Sequence, residues 1–259
     1  DMQKQMSESE RQLFLLGGHD LEMLTIRQQL DRTGIAYVDH QLRWDNARLS
    51  SYRKELEEAS AKDWIVYGVE LQEDIPKPPG YRAIDHHNSF AHFDSALEQV
   101  MALLGQPMDR YQQLVAANDK GYIPGMLEIA ATQDEINLIR HADRKAQGIT
   151  DEDESLAEKA VTNNCTKIGD LFVVKAFSSR FSPICDRLFP FRSLLVYTDE
   201  EWVYYGKGME NVKKFFEKEY LADNLFCGGG ENGYVGAKCG VYSLEEIQKM
   251  VEHIKKIEK

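Results

Sequence analysis

Short apolar runs alternate with helical patterns of apolar and polar residues through the first half of the chain. Glycines or clusters of polar residues separate these segments, which marks where each one ends. Strands that alternate with helices predict a mostly parallel sheet. The predicted strands are 14–16, 35–38, 64–69 and 81–84, and the predicted helices are about 21–33, 45–62 and 95–104.

The second half of the chain has a different pattern. Residues 141–164 are strongly charged and predict a solvated helical linker. Apolar runs then predict strands, two of which form a hairpin, and a final amphipathic helix begins with a capping box of Ser243 and Glu246. The sequence therefore predicts an α/β protein, with a mostly parallel sheet in residues 1–140, a linker at 141–164 and a smaller α+β domain in 165–259.

Composition and charge narrow the class of protein. The 259 residues are 42% hydrophobic and 29% charged, which is typical of a soluble globular protein. A net charge of −12 argues against a protein that holds long duplex DNA by neutralising phosphates, but it leaves a small nucleotide or a short single strand open. The four cysteines form no CxxC pair, the N-terminus is polar, and no apolar run approaches the roughly 20 residues that span a bilayer. We therefore expect a cytoplasmic protein that does not enter the membrane. The sequence does not indicate whether the protein is a monomer or an oligomer.

Acidic residues and histidines stand where four apolar segments end. These groups are His19-Asp20-Leu21-Glu22, Glu70, Asp85-His86-His87, and Asp119 after the apolar run 114–118. Ligands of open parallel sheets bind at the carboxyl ends of the strands, and carboxylates and imidazoles are ligands for ions such as Mn²⁺ and Zn²⁺. The pattern predicts a binuclear metal site with a bridging carboxylate. The alternative is that acids follow strands only because loops are polar.

These motifs resemble those of the DHH superfamily of phosphoesterases, which includes manganese-dependent pyrophosphatases, single-strand exonucleases and cyclic-dinucleotide phosphodiesterases. The resemblance implies two Mn²⁺ ions, with Mg²⁺ as a substitute, and a role for each residue. The implied roles are metal binding by His19, Asp20, Glu22, His86 and Asp119, bridging of the metals by Glu70, contact with the substrate phosphate by His87, and orientation of His86 by Asp85.

A run of glycines near the end of the chain is the second notable motif. The run Gly228-Gly229-Gly230-Glu231-Asn232-Gly233, which Gly236 follows, fits G-x-G-x-x-G, but a dinucleotide fingerprint opens a βαβ unit, and here the chain has almost ended. The run is similar to the glycine loop of the DHH-associated C-terminal domain, which implies substrate binding. The arginine-serine pair that precedes this loop in the family is not evident here, and Lys207, Arg180 and Arg192 are the candidate cations. A turn-rich hairpin between Phe226 and Val241 is the alternative.

Two functions from different classes remain. The first is a metal-dependent phosphoesterase that hydrolyses phosphodiester or phosphoanhydride bonds of a small nucleotide or short oligonucleotide. The second is a catalytically degenerate DHH-fold protein that binds a nucleotide or a protein partner. Glu22 and Glu70 stand where the family has aspartates, and Glu231 stands where its glycine loop has histidine. His19 directly precedes Asp20, whereas the family's first histidine stands several residues before its acidic pair. This irregular first motif and Glu231 favour the second function.

Overall fold

The computed structural model describes residues 11–43, 45–87, 93–230 and 232–257, so Glu231 lies outside the described residues. The chain divides into two compact units, the first ending at Gly148 and the second beginning at Ile149. The charged segment 141–164, predicted as a linker, is shared between a helix of the first unit and a helix of the second.

The first unit contains a parallel four-stranded sheet in the order β2-β1-β3-β4. Its strands are β1 (Gln12–Leu16), β2 (Ala36–Asp39), β3 (Ile65–Val69) and β4 (Tyr81–Ile84). Its helices are α1 (Leu21–Thr33), α2 (Arg53–Ala61), α3 (Ala96–Leu103), α4 (Arg110–Glu128) and α5 (Gln133–Ala146), with a 3₁₀ turn at Leu49–Tyr52 before α2. The parallel sheet predicted for this half of the chain is confirmed.

Local sequence explains the first βα unit of this sheet. The side chains of β1 from Phe14 to Leu16 are fully buried, as expected for a parallel strand covered on both faces. Helix α1 begins at Asp20, whose carboxylate accepts a hydrogen bond from the backbone N–H of Met23. It ends at Gly34, which adopts a left-handed conformation with φ of 67°. The strand therefore delivers Asp20 to the carboxyl edge of the sheet.

The second unit contains a mixed six-stranded sheet in the order β5-β6-β7-β8-β10-β9, which confirms the predicted α/β class with a second α+β unit. Its strands are β5 (Cys165–Ile168), β6 (Leu171–Lys175), β7 (Ser193–Tyr197), β8 (Trp202–Gly206), β9 (Leu225–Gly228) and β10 (Tyr234–Ala237). Its helices are α6 (Asp151–Asn164), α7 (Ser182–Leu188), α8 (Met209–Phe215), α9 (Glu217–Leu221) and α10 (Leu244–Ile257). Helix α6 packs in this unit through the buried side chains of Ala157 and Ala160.

The expected hairpin of β7 and β8 and the capping box at the start of α10 are both present. Two apolar clusters form the core of this unit, one with residues of α8 and α10 and the other with residues of α6 and α7. Among the described residues, none of the helices is both long and apolar enough to cross a bilayer.

Candidate metal centre

The carboxyl ends of three neighbouring strands carry the candidate site. Leu16 of β1 is in register with Val69 of β3, which is in register with Ile84 of β4. Each strand ends one residue before a polar segment, so the segments that start at Gly17, Glu70 and Asp85 emerge side by side. The parallel register therefore brings three motifs that are far apart in the sequence to the same edge of the sheet.

Glycine at position 17 allows the backbones of two of these segments to approach closely. A Cβ atom at Gly17 would lie 2.3 Å from the carbonyl oxygen of Glu70, which is far inside van der Waals contact. Glu70 itself has a positive φ of 53°, an uncommon conformation for a residue with a side chain. Such conformations concentrate where function constrains the backbone.

His86 lies at the centre of a group of carboxylates. Its Nε2 atom is 2.7 Å from Asp119 Oδ2, 3.3 Å from Glu70 Oε1 and 3.6 Å from Glu22 Oε2. His87 joins the group with Nδ1 at 3.8 Å from Glu70 Oε1. One ligand atom from each of Glu70, His86, His87 and Asp119 lies within 4.8 Å of the others. The tertiary fold therefore brings together the central residues of the predicted site.

Asp119 reaches this group from a helix. The sequence places it at the end of an apolar segment, beside residues that follow strands, whereas the structure places it inside α4. The helix begins with a capping box of Asp109 and Gln112, and Leu114, Val115 and Ala116 are buried residues of this helix rather than an approach to the sheet edge. The side chain is 16% exposed, so a helix supplies the carboxylate that completes the buried group.

Five polar atoms of the cluster are buried without hydrogen-bond partners among the described residues. Both carboxylate oxygens of Glu70, one oxygen each of Glu22 and Asp119, and Nε2 of His86 are in this state. A single imidazole N–H cannot satisfy three carboxylates, and buried charges are normally paired or bound to metals. Glu70 has two such oxygens, so both oxygens of its carboxylate are available to a cation.

Burial also changes the proton affinity of these groups. Burial, followed by repulsion from Asp119, raises the pKa of Asp20 to about 6. The pKa of Asp119 is likewise raised to about 6, chiefly by burial, and burial holds the pKa of Glu70 well above its ordinary value. Burial alone would lower the pKa of His86, but contacts with Asp119, Glu22 and Glu70 outweigh it and raise the pKa to about 12. The cluster therefore has an excess of acid that a cation would neutralise.

In Glu22 and Asp20, one carboxylate oxygen accepts a backbone hydrogen bond and the other faces the centre. Glu22 Oε1 accepts a hydrogen bond of 2.8 Å from the N–H of Leu97 in the first turn of α3, while Oε2 faces His86. Asp20 Oδ1 caps α1, and its Oδ2 and Glu70 Oε2 lie 3.8 and 3.7 Å from the position of a Cβ at Gly18. This tethering fixes the carboxylates before any ion binds.

Asp85 has a different role from the one that the resemblance implies. Its Oδ1 accepts a hydrogen bond from the backbone N–H of His87 at 2.8 Å and faces Nδ1 of the same residue at 3.1 Å. Asp85 therefore orients His87, and the assignment of Asp85 to His86 is wrong. The reason is local, because the carboxylate of Asp85 bonds the backbone N–H two residues further on, which holds residue 87 beside it. The side chain of His87 is 31% exposed and can meet a substrate.

His19 is half-buried and is not among the four residues whose ligand atoms converge within the described structure. It stays a predicted ligand only.

The predicted substrate residues of the second unit lie around one hairpin. Gly228 ends β9, Gly229 and Gly230 adopt left-handed conformations in the turn, and β10 returns antiparallel. The N–H of Gly206, next to Lys207, donates a hydrogen bond of 2.7 Å to the carbonyl of Gly233 in the same turn. Lys207 and the glycine turn therefore lie together at one end of the sheet.

Gly236 does not belong to this turn. It lies within β10 between β8 and β9, where a Cβ would be 2.7 Å from the ring of Phe226 and 2.8 Å from the carbonyl oxygen of Trp202. Close strand packing accounts for this glycine. Its predicted role in substrate binding stays a prediction.

Three buried polar residues next to the centre are not among the residues predicted from the sequence. They are Asn118 of α4 and Arg140 and Asp143 of α5. Helix α5 places Arg140 and Asp143 on the same buried face as Ile136 and Ile139. Charged residues at apolar positions of an amphipathic helix are a sequence signal that could have identified them.

The residues present fit a divalent metal centre. The donor set is oxygen-rich with imidazole nitrogen, which suits Mn²⁺ and related ions, and Oδ2 of Asp119 and both oxygens of Glu70 are buried and unpartnered within the described structure. Exposed acidic clusters are common without metals, but this one is largely buried. Burial and orphaned ligand atoms together distinguish it from a solvated acidic patch.

No family model and no curated protein matches the chain. Among solved structures, it is similar to a pGpG-specific phosphodiesterase from Vibrio cholerae, with a TM-score of 0.49 and 11% identity over 97% of this chain and 100% of that chain. It is also similar to the DHH domain of a protein described as a member of a family of ribosomal proteins, with a TM-score of 0.43 and 11% identity over 92% of this chain and 73% of that one. At these low scores the likenesses add no weight to a function, which depends on the geometry of the cluster.

Proposed function

We propose that this protein is a divalent-metal-dependent phosphoesterase of the DHH type, with Mn²⁺ as the preferred ion and Mg²⁺ as a substitute. The observation that supports the proposal is the buried group of Glu22, Glu70, His86 and Asp119, whose ligand atoms face one another without hydrogen-bond partners within the described chain. When bound, divalent ions supply a Lewis acid for phosphate oxygens and lower the pKa of water.

The protein's own residues prepare the site for a phosphate. Glu22 is tied to α3 and Asp20 to α1, so neither carboxylate needs to reorganise when the substrate arrives. Asp85 holds the ring of His87 through Nδ1, so a proton exchanged with a substrate would pass through Nε2. His87 is placed to donate to a phosphate oxygen or to the leaving group.

We assign small nucleotides or short oligonucleotides as substrates, with phosphodiester or phosphoanhydride bonds as the reacting groups. A chain with a net charge of −12 is poorly suited to a long duplex, whose affinity depends on many phosphate contacts. The glycine turn at Gly229 and Gly230, with Lys207 beside it, supports phosphate binding by the second unit, since left-handed glycines expose backbone N–H groups to anions.

The test combines metal binding with turnover. Mn²⁺ affinity would be measured by calorimetry on protein stripped with EDTA, and hydrolysis would be measured with a chromogenic phosphodiester, pyrophosphate, a linear dinucleotide and a short oligonucleotide. We expect His86→Ala to lower both affinity and turnover by at least about 100-fold, because loss of a direct ligand should cost at least as much as loss of a residue behind a ligand. The control, His253→Ala, removes an exposed imidazole from α10 and should leave both unchanged.

The outcomes separate the two functions. Absence of Mn²⁺ binding by the wild type would refute the metal centre and the enzyme together. Tight Mn²⁺ and nucleotide binding without hydrolysis of any substrate would support the degenerate binding protein instead.

A further inference from the structure

A buried polar network lies beside the carboxylate cluster and is not part of it. Arg140 Nη1 donates hydrogen bonds to Asn118 Oδ1 at 3.0 Å and to Asp143 Oδ2 at 2.7 Å. The amide nitrogen of Asn118 also donates to Asp143 Oδ2 at 3.4 Å. Asn118, Arg140 and Asp143 are 7%, 9% and 6% exposed, so the network is shielded from solvent.

The network joins the two helices that carry opposite sides of the centre. Asn118 directly precedes Asp119 on α4. Asp143 Oδ1 accepts a hydrogen bond of 3.4 Å from the N–H of Leu21, which directly follows Asp20 at the start of α1. Through α5, the positions of Asp20 and Asp119 are therefore linked by three side chains.

Arg140 also covers a break in α4. Tyr122, which follows Asp119 by one helical turn, has φ of 56° and ψ of −145°, which interrupts the helical path of the backbone. A tyrosine in this conformation is strained and persists only when its surroundings hold it. The guanidinium of Arg140 lies 4.6 Å from the centre of the Tyr122 ring. Arg140 thus contacts the helix on both sides of Asp119.

We propose that Arg140 and Asp143 are positioning residues of the metal centre, which set the spacing between Asp119 and Asp20 and thereby the affinity for a divalent cation. This inference rests on the proposed function, because it assigns the network to the same site. Arg140 and Asp143 are buried and would touch neither the ion nor the substrate.

Arg140 distinguishes a positioning role from a purely electrostatic one. The two roles predict opposite changes in Mn²⁺ affinity when its charge is removed. Removing its positive charge makes the neighbourhood of the cluster more negative, so a purely electrostatic role requires tighter cation binding in Arg140→Gln. A positioning role requires weaker binding, because Asn118 and Asp143 lose their shared donor and the turn that holds Asp119 is released.

The experiment measures Mn²⁺ affinity by calorimetry for the full chain, after circular dichroism has shown that each variant is folded. We expect Arg140→Gln to bind Mn²⁺ about 10–100-fold more weakly, the range found when residues behind metal ligands are changed. Arg140→Lys keeps the charge but not the planar fork, so we expect a smaller loss that an electrostatic role would not produce. The control, Arg32→Gln, removes an exposed arginine from the last turn of α1 and should bind like the wild type.

A second measurement does not depend on the metal. In EDTA, amide hydrogen exchange should become faster in Arg140→Gln both at the start of α1 and around Asn118, because the network joins these segments. Faster exchange confined to α5 would overturn the proposal, as would unchanged or tighter Mn²⁺ binding. Failure of the wild type to bind Mn²⁺ would overturn this proposal and the proposed function together, whereas tight wild-type binding matched by Arg140→Gln would overturn this proposal alone.

Discussion

Replacement of Asp20 by asparagine separates two effects of its buried negative charge. One is the loss of folding stability in the metal-free protein, and the other is the contribution to metal binding. Asparagine caps a helix as well as aspartate does, so Asp20→Asn keeps the contact with Met23 that starts α1. It removes only the negative charge. In metal-free protein we expect the variant to be more stable than the wild type at neutral pH, although it binds Mn²⁺ more weakly.

The magnitude follows from the pKa of Asp20. Burial and the neighbouring Asp119 raise this pKa from 3.8 to about 6. Because the folded pKa is the higher one, folding favours the protonated acid. The destabilisation is absent below about pH 4, grows between about pH 4 and 6, and is complete above the folded pKa. A shift of about two pKa units corresponds to about 3 kcal/mol.

Calorimetry in EDTA at about pH 4.5 and about pH 7.5, on either side of the folded pKa, is the assay. We expect Asp20→Asn to raise the melting temperature by about 6–12 °C at the higher pH, given about 2–4 °C per kcal/mol for a protein of this size, and by far less at the lower pH. The matched control is Asp109→Asn, because Asp109 caps α4 in the same way but is exposed. A change of at most about 0.5 kcal/mol is expected there.

Two results would refute this reasoning. One is a melting temperature for Asp20→Asn at the higher pH that is equal to or below that of the wild type. The other is an equal change at both pH values, which would show that the effect does not arise from ionisation of Asp20.

Metal binding, proton transfer and backbone packing each lead to a further expected outcome. Mn²⁺ at about 100 times its Kd should stabilise the wild type by about 2.7 kcal/mol in calorimetry, and no shift would contradict the metal centre. Asp85→Asn should lower kcat about 10–100-fold through loss of His87 orientation while the Mn²⁺ Kd stays constant; an equal loss of Mn²⁺ affinity would make Asp85 a ligand. Gly17→Ala should cost about 1–3 kcal/mol in urea unfolding and weaken Mn²⁺ binding, because its Cβ would displace Glu70. Gly121→Ala, whose Cβ meets open space, is the control, and equal effects of the two substitutions would exclude this cause.

Much of the fold of the first unit could be predicted, because short stretches of sequence mark where its strands and helices begin and end. Apolar runs specify the strands, and the stop at Gly34 ends the helix that follows Asp20. The alternation of strands and helices then requires a parallel sheet, which places Glu70 and His86 at one edge. These inferences needed only short stretches of sequence and a general rule of topology.

Other parts of the site could not be predicted in this way. Residues 114–118 form an apolar run whose length does not distinguish a strand approach from the buried face of a helix, so the helical origin of Asp119 was missed. The partner of Asp85 depended on how the turn after β4 folds, and the resemblance implied His86 where the structure has His87. The same limitation applies to Gly236, since a glycine motif does not reveal whether a neighbouring strand occupies the space of a Cβ.

The sequence by itself determined which residue types are available and where the strands that carry them end. Only the tertiary structure decided that Glu22, Glu70, His86 and Asp119 meet closely in a buried space, and that Arg140 and Asp143 join the helices on either side. The physical reason is that ligand geometry, burial and proton affinity depend on contacts between segments far apart in the chain. A strand is specified by its own residues, whereas the charge that a buried carboxylate can carry is specified by its neighbours in space.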